Sequence, residues 1–138
     1  MKKIFLDTNF LIDLMLRDEY KSICKRVLDI GFQYHMWFYI SFLSVANYAY
    51  IARKRPQEEL HEDIRLIIES FIVFAQNKEQ IEKAISLRPK DFEDALQFQC
   101  AKQAGCECII TRNKKDFSFS DIPVLTAEEF LAEINLNS

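Results

Sequence analysis

Three short stretches of the sequence bring acidic side chains to places where an α/β protein does its chemistry. The apolar run Lys3-Ile4-Phe5-Leu6 stops abruptly at Asp7-Thr8-Asn9. A run that short and that apolar reads as a strand buried on both faces, which puts Asp7 at its carboxyl end. Cys108-Ile109-Ile110 is another such run, followed by Thr111-Arg112-Asn113 and then Asp116. Asp91, Glu93 and Asp94 open the helix that precedes it. Ligands of an open parallel sheet bind beyond the carboxyl ends of the strands, so neighbouring strands would bring these acids to one rim. Gathered carboxylates raise one another's pKa unless a cation neutralises them. Mg²⁺, or Mn²⁺ in its place, suits such a rim, because a hard ion takes a few carboxylates and keeps several waters. The ion would lower the pKa of a bound water and stabilise charge building up on a phosphodiester. With two histidines in the chain, no serine or cysteine nucleophile with a histidine partner is suggested.

The elements that must position these residues follow from periodicity. Thr8 or Asn9 is the expected cap of a helix carrying Leu11, Ile12, Leu14 and Met15. A second helix is expected from Asp18 to Ile30, closed by Gly31, and a strand from Met36 to Ile40. Ser41 caps a helix to about Lys54, and Pro56 begins another with Leu60, Ile64, Ile67, Ile68 and Phe71 as its apolar stripe. Residues 71–75 read as a short strand or as continuing helix. A helix over 78–87 is broken by Arg88-Pro89, and the helix capped by Asp91 runs to Ala104 and stops at Gly105. Pro123-Val124-Leu125 is a last strand, and Thr126 with Glu129 forms a capping box for the final helix. Strands separated by helices imply parallel pairing with right-handed crossovers. The expected fold is α/β, a three-layer sandwich with a short, mainly parallel sheet flanked by helices, and one domain over 1–138.

The chain has 138 residues, 49% of them hydrophobic, enough for a real core without staples. Its net charge of −3 excludes a polycation, so any nucleic-acid contact must come from local clusters. Those clusters are Lys2-Lys3, Lys25-Arg26, Arg53-Lys54-Arg55, and Arg112 with Lys114 and Lys115. Arg112, Lys114 and Lys115 are the RNA-contact candidates, with solvated surface charge as the plainer account of each. Cys24, Cys100, Cys106 and Cys108 read as reduced thiols in or near the core, since the spacing matches no zinc ribbon and no secretory signal is present. Ile30 to Ala52 carries no Asp, Glu, Lys or Arg. Its polar residues and its division into a strand and a helix argue against a membrane span, and a cytoplasmic location is expected.

The segments Ile4-Phe5-Leu6-Asp7-Thr8-Asn9-Phe10-Leu11-Ile12-Asp13, Asp91-Phe92-Glu93-Asp94-Ala95-Leu96 and Ile109-Ile110-Thr111-Arg112-Asn113-Lys114-Lys115-Asp116-Phe117 occur in that order. Together they resemble the PIN-domain family, metal-dependent nucleases that include the VapC-type toxins of prokaryotic toxin–antitoxin pairs. The resemblance spans nearly the whole chain. It implies that Asp7, Asp94 and Asp116 form a catalytic acidic metal site. Thr8 and Asn9 would shape the first loop, and Asn113 would stand at the site's edge. The family pattern usually has a glutamate in the helix after the second strand, where this chain has Asn47. That departure removes one negative charge, for which Glu93 or Asp91 is the available substitute. The resemblance further implies an endoribonuclease acting on single-stranded RNA, an antitoxin partner and a homodimer. The competing expectation is a PIN-like RNA-binding or interaction module whose site Asn47 has weakened.

Plainer roles are open to the same residues. Asp7 would also cap the first helix, Asp91 suits a helix cap better than a ligand, and Glu93 and Asp94 suit the positive end of a helix dipole. Asp116 could be an exposed loop acid, and Asp13 reads as surface. The aromatic series Tyr34, Trp37, Phe38, Tyr39, Phe42, Tyr48 and Tyr50 reads as mostly core, not as a base-stacking platform. A receiver-like signalling domain, which also holds Mg²⁺ on a parallel sheet, needs an acid after a middle strand. Ile40-Ser41-Phe42 offers none.

Overall fold

The computed structural model describes residues 1–136. The elements in chain order are β1 (Lys3–Leu6), α1 (Thr8–Leu16), α2 (Asp18–Gln33), β2 (Trp37–Ser41), α3 (Phe42–Ile51), α4 (Gln57–Ser70) and β3 (Ile72–Phe74). They continue with α5 (Lys78–Ser86), α6 (Phe92–Gln103), β4 (Cys108–Ile110), a 3-10 turn (Lys114–Phe117), β5 (Val124–Leu125) and α7 (Ala127–Leu136). The five strands form one sheet in the order β3-β2-β1-β4-β5. Every pairing is parallel, with Ile4 opposite both Phe38 and Cys108. The strand nearest the start of the chain is therefore central, and the crossovers to either side put helices on both faces.

Alternation along the strands divides the core in two. Ile4, Leu6, Cys108 and Ile110 point to one face, where Phe10, Leu11 and Ile12 of α1, Cys24 and Val27 of α2, Tyr48 of α3 and Phe130 of α7 cover them. Phe5 and Ile109 point to the other, against Phe98, Cys100 and Ala101 of α6 and Phe117. All four cysteines are free and buried, and burial pushes each thiol up to about 12. No helix among the described residues is long and apolar enough to cross a membrane.

Several sequence expectations need correction. The cap of α1 is Asp7, neither Thr8 nor Asn9. The chain is still extended at Asp7, whose own N–H bonds to the Ile110 carbonyl while its side chain accepts from the Thr8 N–H. Gly31 does not end α2, which runs on to Gln33. A glycine is needed there because a β-carbon would overlap the Phe38 ring, and the chain turns instead at His35, with φ 58°. Helix α3 stops at Ile51 rather than near Lys54, since Pro56 disfavours helical backbone just before it. Pro56 itself occupies the cap position of α4, one place ahead of the helix. Ile68 faces solvent on α4, whose buried stripe is Ile67 with Leu60 and Ile64 partly covered. The alternative at 71–75 resolves to the strand β3. The capping box of α7 forms as expected: the Thr126 N–H bonds to Glu129 Oε1 and the Glu129 N–H to Thr126 Oγ1.

The aromatic series is not mostly core. Phe38 and Tyr48 are buried, but Trp37, Phe42 and Tyr50 are 60%, 63% and 66% exposed, and Tyr34 is exposed as well. A stretch without charges carries no local mark of which helical face meets solvent, so periodicity there could not separate these residues.

Candidate functional site

Asp7 ends β1 and is 5% exposed. Its Oδ1 accepts from the Thr8 N–H at 2.8 Å and its Oδ2 from the Thr111 hydroxyl at 3.0 Å, which fixes the carboxyl plane. Thr111 can reach it because β1 and β4 are paired, with Leu6 opposite Ile110. Helix α6 starts at Asp91, whose side chain caps it through the Glu93 N–H at 2.8 Å, so Glu93 and Asp94 fall in its first turn. Asp116 lies on the 3-10 turn that follows β4. Asp7, Asp91, Glu93, Asp94 and Asp116 all line one cavity of about 370 Å³. Thr8, Asn9 and Asn47 line it too, and Tyr50 and Ile51 form its outer lip.

The electrostatics record how crowded the rim is. Burial pushes the Asp7 carboxyl up to about 6 despite the two hydrogen bonds it accepts, and Glu93 and Asp116 add to the rise. Asp94 is pushed up to about 7, by partial burial first and then by Asp91, Asp7, Asp116 and Glu93. Glu93 is raised by burial and by Asp91. Among the described residues no three carboxylate, histidine or cysteine side chains form a ready-made ligand group. A hard divalent ion does not need one: Mg²⁺ is held through one or two carboxylates and completes its shell with water and substrate oxygens. The donor set fits, being all oxygen, unpaired with any cation of the chain, and costly to ionise without one.

Asn47 does reach the site from α3. Its Nδ2 donates to Glu93 Oε1 at 2.5 Å, tying α3 to the first turn of α6. Beneath the acids lies a polar cluster that sequence reasoning missed. Gln97 is fully buried, and its Nε2 donates to Thr8 Oγ1 at 2.6 Å and Ser44 Oγ at 2.7 Å. Thr8 and Ser44 share a hydrogen bond of 2.7 Å, and the Ser41 hydroxyl donates to Ser44 Oγ. This cluster ties the first turns of α1 and α3 to α6, the elements that carry Asp7, Asn47 and Asp94. The available signal was a glutamine one helical turn after Asp94, on an otherwise apolar helix face.

Other candidates fall elsewhere. Asn113 does not line the cavity, and its N–H closes on Thr111 Oγ1 at 3.1 Å. Arg112 is committed to Asp13, donating from Nε at 2.6 Å and from its terminal nitrogen at 3.2 Å, with its guanidinium 4.4 Å from the Tyr20 ring. The Asp13 side chain, expected at the surface, is 2% exposed. Lys114 pairs with Glu129. Lys115 alone of the three basic candidates stands beside the acids, in an adjoining cavity shared with Asp94 and Asp116.

Comparison with known proteins places the chain in a family. The family model for the PIN domain matches residues 3–115. Ribonuclease VapC1 of Aquifex aeolicus is 29% identical over 143 residues, covering 97% of this chain and 96% of that protein. VapBC-1 from nontypeable Haemophilus influenzae superposes with a TM-score of 0.72 at 25% identity, over 91% of this chain and 98% of that one. A toxin–antitoxin complex from Klebsiella pneumoniae gives 0.67 at 25% identity, over 90% and 97%.

Proposed function

Since the chain belongs to the PIN-domain family, we propose that it is a ribonuclease whose Asp7, Asp94 and Asp116 hold Mg²⁺ or Mn²⁺, and that it is the toxin of a toxin–antitoxin pair. The observation that carries this reading is the single cavity in which acids from β1, α6 and the turn after β4 meet, two of them pushed to about 6 and about 7. The bound ion would supply an activated water and charge stabilisation at the phosphodiester. The chain's own residues do the positioning. Thr8 and Thr111 fix the Asp7 carboxyl, and the Asp91 cap fixes the start of α6 and with it Asp94. Glu93, held against Asn47, replaces the missing glutamate as the fourth carboxylate. An antitoxin, by likeness to the toxin–antitoxin complexes, and a second copy of the chain are the protein partners of this reading.

Purified protein is expected to cleave a mixed single-stranded RNA when Mg²⁺ or Mn²⁺ is present, with cleavage lost in EDTA and in Asp94→Asn. No cleavage, together with no metal binding by calorimetry, would sink the nuclease reading and leave an RNA-binding or interaction module. Asn47→Glu offers a finer check. Restoring a carboxylate to α3 should tighten Mg²⁺ binding about tenfold, because ligand charge count sets divalent affinity. Unchanged affinity by calorimetry would count against Asn47 facing the ion.

A further inference from the structure

The acidic cavity does not end at the acids. A second cavity, of about 520 Å³, shares Asp91, Asp94 and Asp116 with it, so the two form one trough. The lining of this second cavity includes three cations from two separate segments: Arg88 and Lys90 in the loop before α6, and Lys115 in the turn after β4. All three are exposed, and none is in an ion pair among the described residues. Nearby Lys102 and Lys114, by contrast, are paired with Asp121 and Glu129. Three cations thus share this lining with three acids and form no ion pair with them among the described residues.

Arg88 has φ 49°, in the left-handed region that side-chain-bearing residues enter at a cost and that glycine would occupy freely. Arg88 directly follows the cap of α5, so this turn, common at helix ends, sets where its charge stands beside Lys90. The protein as a whole carries −3, so a polyanion gains nothing from the global field and must be held locally.

From this geometry we propose that Arg88, Lys90 and Lys115 form a phosphate-binding subsite that grips the RNA backbone on one side of the acids. The proposal rests on the ribonuclease reading and adds the polarity of the substrate path: backbone phosphates lie on the Arg88 side, away from the lip formed by Tyr50 and Ile51. These contacts fix position and carry no base preference.

The test measures binding of a fluorescein-labelled single-stranded RNA of about ten nucleotides by anisotropy, in EDTA and across a series of NaCl concentrations. Each phosphate contact to a single strand contributes about 0.7 to the slope of log affinity against log salt. Replacing Arg88, Lys90 and Lys115 together by Ala should therefore lower that slope by about 2 and weaken binding equally for all sequences. Removing the same charge at Lys25, Arg26 and Arg65, exposed cations that line neither cavity, should leave the slope within about 0.5 of the original. Arg88→Gly, which relieves the backbone, is expected to unfold no earlier than the unaltered protein while binding RNA more weakly. An unaltered protein that cleaves RNA, with equal slopes in the two triple variants or no loss of binding in Arg88→Gly, overturns the subsite alone. An unaltered protein that neither binds nor cleaves RNA overturns the ribonuclease reading, and the subsite with it.

Discussion

Asp7→Asn is expected to abolish RNA cleavage while making the metal-free protein more stable by about 3 kcal/mol at neutral pH. The size follows from the rise of the Asp7 carboxyl from 3.8 to about 6, at about 1.4 kcal/mol for each unit. The folded value lies above the unfolded one, so the folded state resists ionisation. This penalty is absent below about pH 4, grows between pH 4 and 6, and is complete above pH 6. Metal-free protein should accordingly melt at higher temperature at pH 5 than at pH 7.5. Asp94, raised to about 7 for the same main reason, adds in the same direction, reduced by its partial exposure. Asparagine keeps the helix cap, because it ranks with aspartate there, and the Thr111 hydroxyl can accept where it now donates. At neutral pH the variant should melt roughly 10 °C above the metal-free parent. On the proposed metal site the same variant would lose a donor, and cleavage should fall at least about a hundredfold. The account fails if Asp7→Asn is the less stable protein at pH 7.5, or if its stability follows pH as the parent's does. A site that destabilises the fold it belongs to is the usual mark of function held against stability.

The second large effect lies away from the acids. Asp13→Ala should cost about 3 kcal/mol of stability yet leave the cleavage rate of each folded molecule unchanged. The Asp13 carboxylate, 2% exposed, is met by Arg112 at 2.6 Å and by Arg17 at 3.3 Å. Breaking a buried pair by deleting one partner costs about 3–5 kcal/mol when the orphaned charge cannot reach water. The Arg112 and Arg17 side chains are 35% and 43% exposed, which places the expectation at the low end of that range. Urea denaturation should show a lower midpoint at an unchanged slope. A change below about 0.5 kcal/mol would mean that water already screens this pair. If Arg112→Ala instead lowered RNA affinity with little loss of stability, the guanidinium would belong to RNA and not to Asp13.

The contrast between these two aspartates shows what the sequence made legible. Asp7 could be placed because the short apolar run before it marks a strand, and a strand's exit marks where a parallel sheet opens to ligands. The same rule found the turn holding Asp116; the cap pattern at Asp91 put Asp94 on the first turn of a helix, but its place in the site was implied only by the family resemblance. Asp13 could not be placed. Nothing within a helical turn of it announces that Arg112, 99 residues on, returns to neutralise it. Gln97 was invisible for the same reason, since its partners Thr8 and Ser44 are 89 and 53 residues distant. Exposure of Trp37, Phe42 and Tyr50 was hidden because the run around them has no charged residue to mark the solvent side. Local pattern places strands and helices to within a few residues, as the shifted caps of α1 and α4 show; which polar groups meet across the core depends on strand order, and that is a property of the whole chain.

The order β3-β2-β1-β4-β5 also bears on when, during synthesis, the acidic site becomes complete. A chain leaves the ribosome from its amino end, so Asp7 is exposed long before Thr111, the residue that orients it, has been translated. The slot beside β1 stays empty until β4 arrives, and Asp116 follows only after that. A half-made copy thus has its first acid but not the second or third. The acidic site is completed last.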